Sequence, residues 1–232
     1  MKLKADFHLH TGEDPREHCV DYSAKELIDK AAEKGFDCLS ITNHTTITFS
    51  DSLKDYAFKK GIILIPGAEI RLNKKDIILL NFTPSEVEAI RTMEDILKAK
   101  GHNKLVIAPH PFFPSSNSLN SLFNKNIEVF DAIEFTSLYF RWINFNRKAK
   151  SMAKRFNLPL VGSSDTHYMR QLGSNYSLVD AKRKDVDSII RAIKEHRIEV
   201  VTKPLDINLW NVKLALRFSF HFLSRKRTMF SP

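Results

Sequence analysis

Five short stretches of this chain end in side chains of the kinds that hold metal ions. In Ala5-Asp6-Phe7-His8-Leu9-His10, two imidazoles stand two residues apart. On an extended segment residues two apart face the same side, so both rings can reach one ion. His44 closes Leu39-Ser40-Ile41-Thr42-Asn43-His44, and Glu69 closes Ile65-Pro66-Gly67-Ala68-Glu69. His110 ends Val106-Ile107-Ala108-Pro109-His110, and Pro111 then forces the chain out of that segment. Asp165 and His167, again two apart, follow Leu160-Val161-Gly162-Ser163-Ser164. Singly, each is an ordinary buried histidine or acid. Their shared place at the ends of apolar runs points to a metal site. Imidazole together with carboxylate suits Zn, Mn or Fe better than Ca or Mg.

These residues need strands to carry them, and short apolar runs supply the strands. Candidates are Lys4–Phe7, Cys38–Thr42, Ile62–Pro66, Asp76–Phe82, Leu105–Ala108, Ala132–Phe135, Leu158–Gly162, Ser177–Asp180 and Ile198–Val201. Helical patterns lie between them: Ser23–Lys34, Asp51–Lys60, Pro84–Lys100, Phe140–Phe156 and Lys184–His196. Ser23 with Glu26 forms a capping box, and Gly35 stops that helix. The runs are apolar throughout rather than alternating, as when helices cover a parallel sheet. Repeated βα units predict an α/β fold, either a (β/α) barrel or an open doubly wound sheet. In a parallel barrel the active site lies at the C-terminal ends of the strands, where all five donor groups fall. No GxxxxGK[ST] loop and no GxGxxG turn is present, so nucleotide binding by those devices is not supported.

The chain has 232 residues, room for one such barrel, and 43% of them are hydrophobic, which argues against wholesale disorder. Two cysteines, Cys19 and Cys38, cannot make a disulfide framework and suit a reducing compartment. No run approaches a transmembrane length, and the lysines near the start are followed by no apolar stretch of a signal peptide. A soluble, cytoplasmic protein is expected. The net charge of +9 favours anionic partners. Over half of that excess sits beyond Thr202, where Lys203, Lys213, Arg217, Arg225, Lys226 and Arg227 face Asp206 alone. Residues 1–202 therefore read as the barrel, and residues 203–232 as a basic, aromatic tail.

Several motifs resemble, in order, those of the PHP (polymerase and histidinol phosphatase) domain. They are Asp6-Phe7-His8-Leu9-His10, Ile41-Thr42-Asn43-His44, Pro66-Gly67-Ala68-Glu69, Ala108-Pro109-His110-Pro111 and Gly162-Ser163-Ser164-Asp165-Thr166-His167. The resemblance runs from about Lys4 to Val201. It implies a distorted (β/α)7 TIM-like barrel with two or three divalent transition-metal ions, and a hydrolase of phosphate esters. By that resemblance His8, His10, Glu69 and Asp165 surround one ion, and Glu69 bridges to a second also held by His110. His44 and His167 hold a third with a ligand from the loop after His10. Loop length favours His18 for that role, with Asp14 next. Glu69, Asp165 and His167 are the implied catalytic residues. Asn43 stands where the family usually has Asp, and can still orient a neighbour. Glu134 resembles a family position near the site, or else pairs with a nearby cation.

Paired metals lower the pKa of a bridging water and stabilise charge on phosphoryl oxygens, so no Ser or Cys nucleophile is needed. Arg16, Arg71 and Arg141 follow or flank strand ends and could clamp phosphate. An amidohydrolase-type enzyme also opens its barrel with HxH, but usually bridges its metals with a modified lysine, where this chain offers Glu69. A non-catalytic scaffold is disfavoured by the near-complete ligand set. The substrate stays open among a small phosphomonoester, a nucleotide and a nucleic-acid end. The tail, Leu205 to Pro232, could pack against the barrel, join two copies or touch an acidic membrane surface.

Overall fold

The computed structural model describes residues 1–17, 19–208 and 211–213. The sheet contains all nine expected strands: β1 (Lys2–Leu9), β2 (Cys38–Ile41), β3 (Ile63–Leu72), β4 (Lys75–Leu80), β5 (Leu105–Ala108), β6 (Ala132–Thr136), β7 (Leu160–Ser163), β8 (Asn175–Asp180) and β9 (Ile198–Thr202). Their order is β7-β6-β5-β4-β3-β2-β1-β8-β9, a nearly closed, barrel-shaped sheet. β1, β2 and β3 run parallel, as do β5, β6 and β7. β4 is antiparallel to both β3 and β5, β8 is antiparallel to β1, and β9 is antiparallel to β8. Apolar runs alone do not carry strand direction. The tight turn at Asn73 and Lys74, both in the left-handed region, reverses the chain after β3.

Side chains close the barrel where no ladder does. The Ser177 hydroxyl accepts from the Gly162 amide at 2.9 Å and donates to the Gly162 carbonyl at 3.0 Å. The Asn175 amide donates to the Ser163 carbonyl at 2.8 Å and also to that of Phe135. Gly162 is required here, because a Cβ would stand 2.6 Å from the Tyr176 carbonyl oxygen. Just beyond the C-terminal end of β7, the His10 amide donates to the Thr166 carbonyl at 3.2 Å. Asp6, buried at the seam, accepts from the Ser164 amide at 3.1 Å. The closure therefore fixes the segment that carries Asp165 and His167 against the end of β1.

The helices are α1 (Ala24–Glu33), α2 (Asp51–Lys59), α3 (Pro84–Ala89), α4 (Met93–Ala99), α5 (Ser121–Lys125), α6 (Asn146–Phe156) and α7 (Val186–Lys194). Leu27, Ile28 and Ala31 of α1 bury one face against Leu39, Ile41 and Leu64. Each such Leu or Ile contributes about 1.5–3 kcal/mol relative to exposure. The single helix expected over Pro84–Lys100 is two, because Ile90 is extended and Thr92 with Asp95 opens a second capping box. The helix expected from Phe140 begins only at Asn146, whose side chain bonds the Thr136 amide and carbonyl and seats the helix under β6. The short α5, between β5 and β6, carries no capping bond that the sequence would announce. Most of the tail read from Leu205 to Pro232 lies outside the described residues. Among those described, Leu205 packs with Phe113 and Leu138, and its amide bonds the Tyr139 carbonyl at 2.8 Å.

Candidate metal centre

The C-terminal ends of β1, β2, β5 and β7, together with Glu69 inside β3, converge on one buried cluster. His8 and His10 leave the end of β1 with their Nε2 atoms 3.2 Å apart. Asp165 Oδ1 lies 3.3 Å from His8 Nε2 and 3.6 Å from His10 Nε2. Glu69 reaches between the rings: Oε2 is 3.0 Å from His44 Nε2 and 3.6 Å from His10 Nε2, and Oε1 is 3.6 Å from His110 Nε2. Gly67 lets β3 come this close, since a Cβ there would meet the Ser40 hydroxyl and the Thr42 methyl. His110 and Asp165 are both held in the left-handed backbone region, an uncommon choice for non-glycine residues and one found at functional sites. His110 is fixed there by its amide, which donates to Glu134 at 2.6 Å, and by its carbonyl, which accepts from the Ser118 hydroxyl at 2.8 Å.

Carboxylates behind the rings set which nitrogen faces inward. Glu134 accepts from His8 Nδ1 at 2.8 Å, and Asp14 accepts from His10 Nδ1 at 2.9 Å and His44 Nδ1 at 2.8 Å. An ionised carboxylate only accepts, so each Nδ1 carries the proton and each neutral ring turns a lone pair inward from Nε2. Two such lone pairs facing at 3.2 Å repel unless a cation or a proton stands between them. Glu69 Oε1 is buried with no hydrogen-bond partner. An orphaned carboxylate oxygen among inward imidazole nitrogens fits a divalent cation, and the outer carboxylates are the usual support for metal-binding histidines.

Groups of candidate ligand atoms lying within 4.8 Å of one another are His8, His10 and Glu69; His8, His110 and Asp165; His10, Asp14 and His44; His10, Asp165 and His167; and Glu69, Asp76 and His110. His44 thus sits with His10 and Asp14, while His167 sits with His10 and Asp165. His18 lies outside the described residues. Asp14 holds the outer nitrogens of two rings and also accepts the His44 amide at 2.9 Å. Glu17, from the same loop, stands 3.7 Å from His167 Nε2. Asn43 orients that loop, accepting the Thr11 amide at 2.9 Å and donating to the Thr11 and Thr48 hydroxyls. Glu134 pairs with His8 and not with a Lys or Arg. Asp76 was not singled out in the sequence, yet a lone acid opening the buried run Ile77-Ile78-Leu79-Leu80 was the available signal.

Electrostatics of the metal-free cluster follow from this crowding. Burial opposes charging of His8, but Asp165, Glu134 and Glu69 outweigh it and raise its pKa well above the usual range. Against the same burial penalty, Glu69 and Asp14 push His44 up to about 10, and Glu69 and Asp165 push His110 up to about 9. His167 goes the other way, lowered by burial and by neighbouring His10. Protons thus occupy the cluster at neutral pH when no cation does. Uptake of a divalent ion must expel them, so apparent affinity should strengthen as pH rises toward 9–10. Calorimetric titration with Zn or Mn at neutral pH, in buffers of different ionisation enthalpy, should register at least about one proton released per ion. Buffer-independent heats would contradict this.

A cavity of about 400 Å³ opens over the cluster. Glu69, His110, Asp165 and His167 lie at its base, and Arg16, Arg71 and Lys74 bring positive charge to its wall. Arg71 is braced by Asp76, with Nε 2.5 Å from Oδ1 and Nη2 3.1 Å from Oδ2. Of the three arginines named as phosphate clamps, Arg16 and Arg71 line the cavity. Arg141 is exposed in the loop after β6 and does not line it. No helix among the described residues is long and apolar enough to cross a membrane.

A family model described as PHP-associated matches residues 144–198. The chain is 28% identical to an uncharacterised protein of Methanocaldococcus jannaschii, across 56% of this chain and 82% of that one. Among solved structures it is similar to a two-domain protein of Bacteroides vulgatus containing a predicted PHP-like metal-dependent phosphoesterase. The TM-score there is 0.68 at 19% identity, covering 87% of this chain and 65% of that protein, so the chain spans just under two thirds of it. It is also similar to the lesion-specific endonuclease PfuEndoQ of Pyrococcus furiosus, with a TM-score of 0.61 at 16% identity, covering 86% of this chain and 58% of that one. At these identities the structural likeness carries the fold.

Proposed function

We propose, from the premise that the chain belongs to the PHP family, that it is a metal-dependent phosphoesterase. One observation carries the reading: Glu69, with an unpartnered buried oxygen, stands among His8, His10, His44 and His110 at the floor of a cation-walled cavity. His8, His10, Glu69 and Asp165 would hold one divalent ion, and Glu69 with His110, joined by Asp76, a second. His44 and His167 would contribute to a third with a ligand from the loop after His10. When bound, such ions act as Lewis acids that activate water and neutralise phosphoryl oxygens.

The chain's own residues supply the rest. Arg71, held by Asp76, presents a pre-oriented guanidinium to a phosphate, and Arg16 and Lys74 add charge on the same wall. Glu134 and Asp14 keep the proton on Nδ1 of His8, His10 and His44, so that Nε2 stays available on the inner side. His167, its pKa lowered by burial and by His10, would offer an uncharged ring to an ion at the cavity floor. To test the reading, the purified protein is stripped with a chelator, reloaded with Mn or Zn, and assayed on p-nitrophenyl phosphate. Turnover should vanish on stripping and return on reloading. A protein that takes up no metal on reloading, or that turns over no phosphate ester once loaded, would contradict it.

A further inference from the structure

The loop after β6 and the helix that follows it form a second surface, which the hydrolytic cluster does not use. Trp142 is 74% exposed and Ile143 58%, large apolar side chains left in water. The loop is anchored at the cavity: Phe145 packs edge-on against Phe113 with ring centres 5.8 Å apart, and Phe113 and Leu138 line the cavity wall. Trp142 therefore belongs to a loop tied, through Phe145, to a residue of the cavity wall. Directly after it, α6 reads Asn-Arg-Lys-Ala-Lys-Ser-Met-Ala-Lys-Arg-Phe, with no acid. Arg147, Lys148, Lys150, Lys154 and Arg155 are all exposed, and no ion pair joins any of them to a carboxylate among the described residues. The helices α1, α2, α4 and α7 all mix acids with their cations.

We propose that residues 141–155 form a track for a single-stranded nucleic acid whose end lies in the cavity. An indole left in water on this loop offers a stacking face to any base. Behind it, eleven residues of helix give about 16 Å of unneutralised positive charge, long enough for several backbone phosphates. A helix that follows a barrel strand runs from the site face down the outside of the barrel, so the charge leads away from the mouth. Lys148, second in this run, holds its ammonium 4.7 Å over the Phe112 ring. An exposed aromatic face beside a run of cations is the combination that holds single strands without sequence preference. As a statement about substrate, this rests on the phosphoesterase reading. As a statement about binding, it does not.

The test uses the full-length protein and a fluorescein-labelled oligothymidylate of about fifteen nucleotides with phosphorothioate linkages, which resist hydrolysis, followed by anisotropy. Trp142→Ala should weaken binding about tenfold. The double variant Lys150→Glu, Lys154→Glu should weaken it at least about tenfold and flatten its dependence on salt. Hydrolysis of p-nitrophenyl phosphate, which is too small to reach the track, should stay within about twofold of the parent in both. The proposal fails if the parent does not bind the strand at low salt, or if both variants bind it as the parent does. It fails equally if the variants lose binding to phosphatidylserine vesicles and keep it for the strand, which would make the surface a membrane contact. Strand binding that depends on these residues, in a protein that hydrolyses no phosphate ester, would uphold the track and defeat the phosphoesterase reading.

Discussion

Replacing Glu69 with glutamine should lower phosphomonoester turnover at least about a hundredfold, which corresponds to about 2.7 kcal/mol of transition-state stabilisation. The reason is charge rather than shape. Glu69 is buried beside four imidazoles, 3.0 Å from His44 Nε2 and 3.6–3.7 Å from Nε2 of His8, His10 and His110. Burial would raise its pKa, but His44 and His8 hold it well below the usual carboxylate range. A carboxylate can hold two cations close together because it brings negative charge to both. The neutral amide keeps the volume, so circular dichroism should show an intact fold. Its NH2 group would also point a donor into a cluster that needs acceptors. Normal kinetics in this variant would place the bridge elsewhere and reopen the amidohydrolase alternative.

The double variant His8→Ala, His10→Ala should lose at least one bound ion and all measurable hydrolysis. These rings supply two of the inward lone pairs, and Glu134 and Asp14 orient both. Removing them also leaves Glu134, buried beneath the cluster, without its ring partner, so some loss of stability is expected. Glu134→Gln separates the two effects. Its amide can turn either end to His8 and preserves the packing, while it weakens control of the proton on Nδ1. Activity should fall about ten- to a hundredfold with most of the metal retained. Full metal and full activity in the double variant would sink the assignment.

The clustering of these histidines and acids could be read from the sequence because backbone periodicity and strand ends place them together. His8 and His10 share a face by the two-residue repeat, and His110 is marked by the proline that ends its strand. All nine strands were found for the same reason, as short apolar runs with turn residues between them. Direction is not legible in this way: β4 runs against β3 and β5, and β8 against β1 and β9, with the composition of the parallel strands. The break at Ile90 was hidden because Pro84–Lys100 keeps one apolar rhythm across both helices, and only Thr92 with Asp95 marks the restart. Asp76 and the dual role of Asp14 depend on contacts between distant segments. Asp76 meets Arg71 across a hairpin and His110 across a second strand pairing. Asp14 joins His10 to His44, thirty residues further along. No local pattern encodes such meetings.

The central claim is that one buried cluster holds divalent metal and that the metal is needed to cleave a phosphate ester. Elemental analysis of the purified protein, run on the same samples as a p-nitrophenyl phosphate assay, tests it most directly. The account predicts about two or three transition-metal ions per chain, with turnover rising and falling with that content as the protein is stripped and reloaded. Less than one ion per chain after loading, or hydrolysis that persists unchanged once the metal is gone, would contradict it.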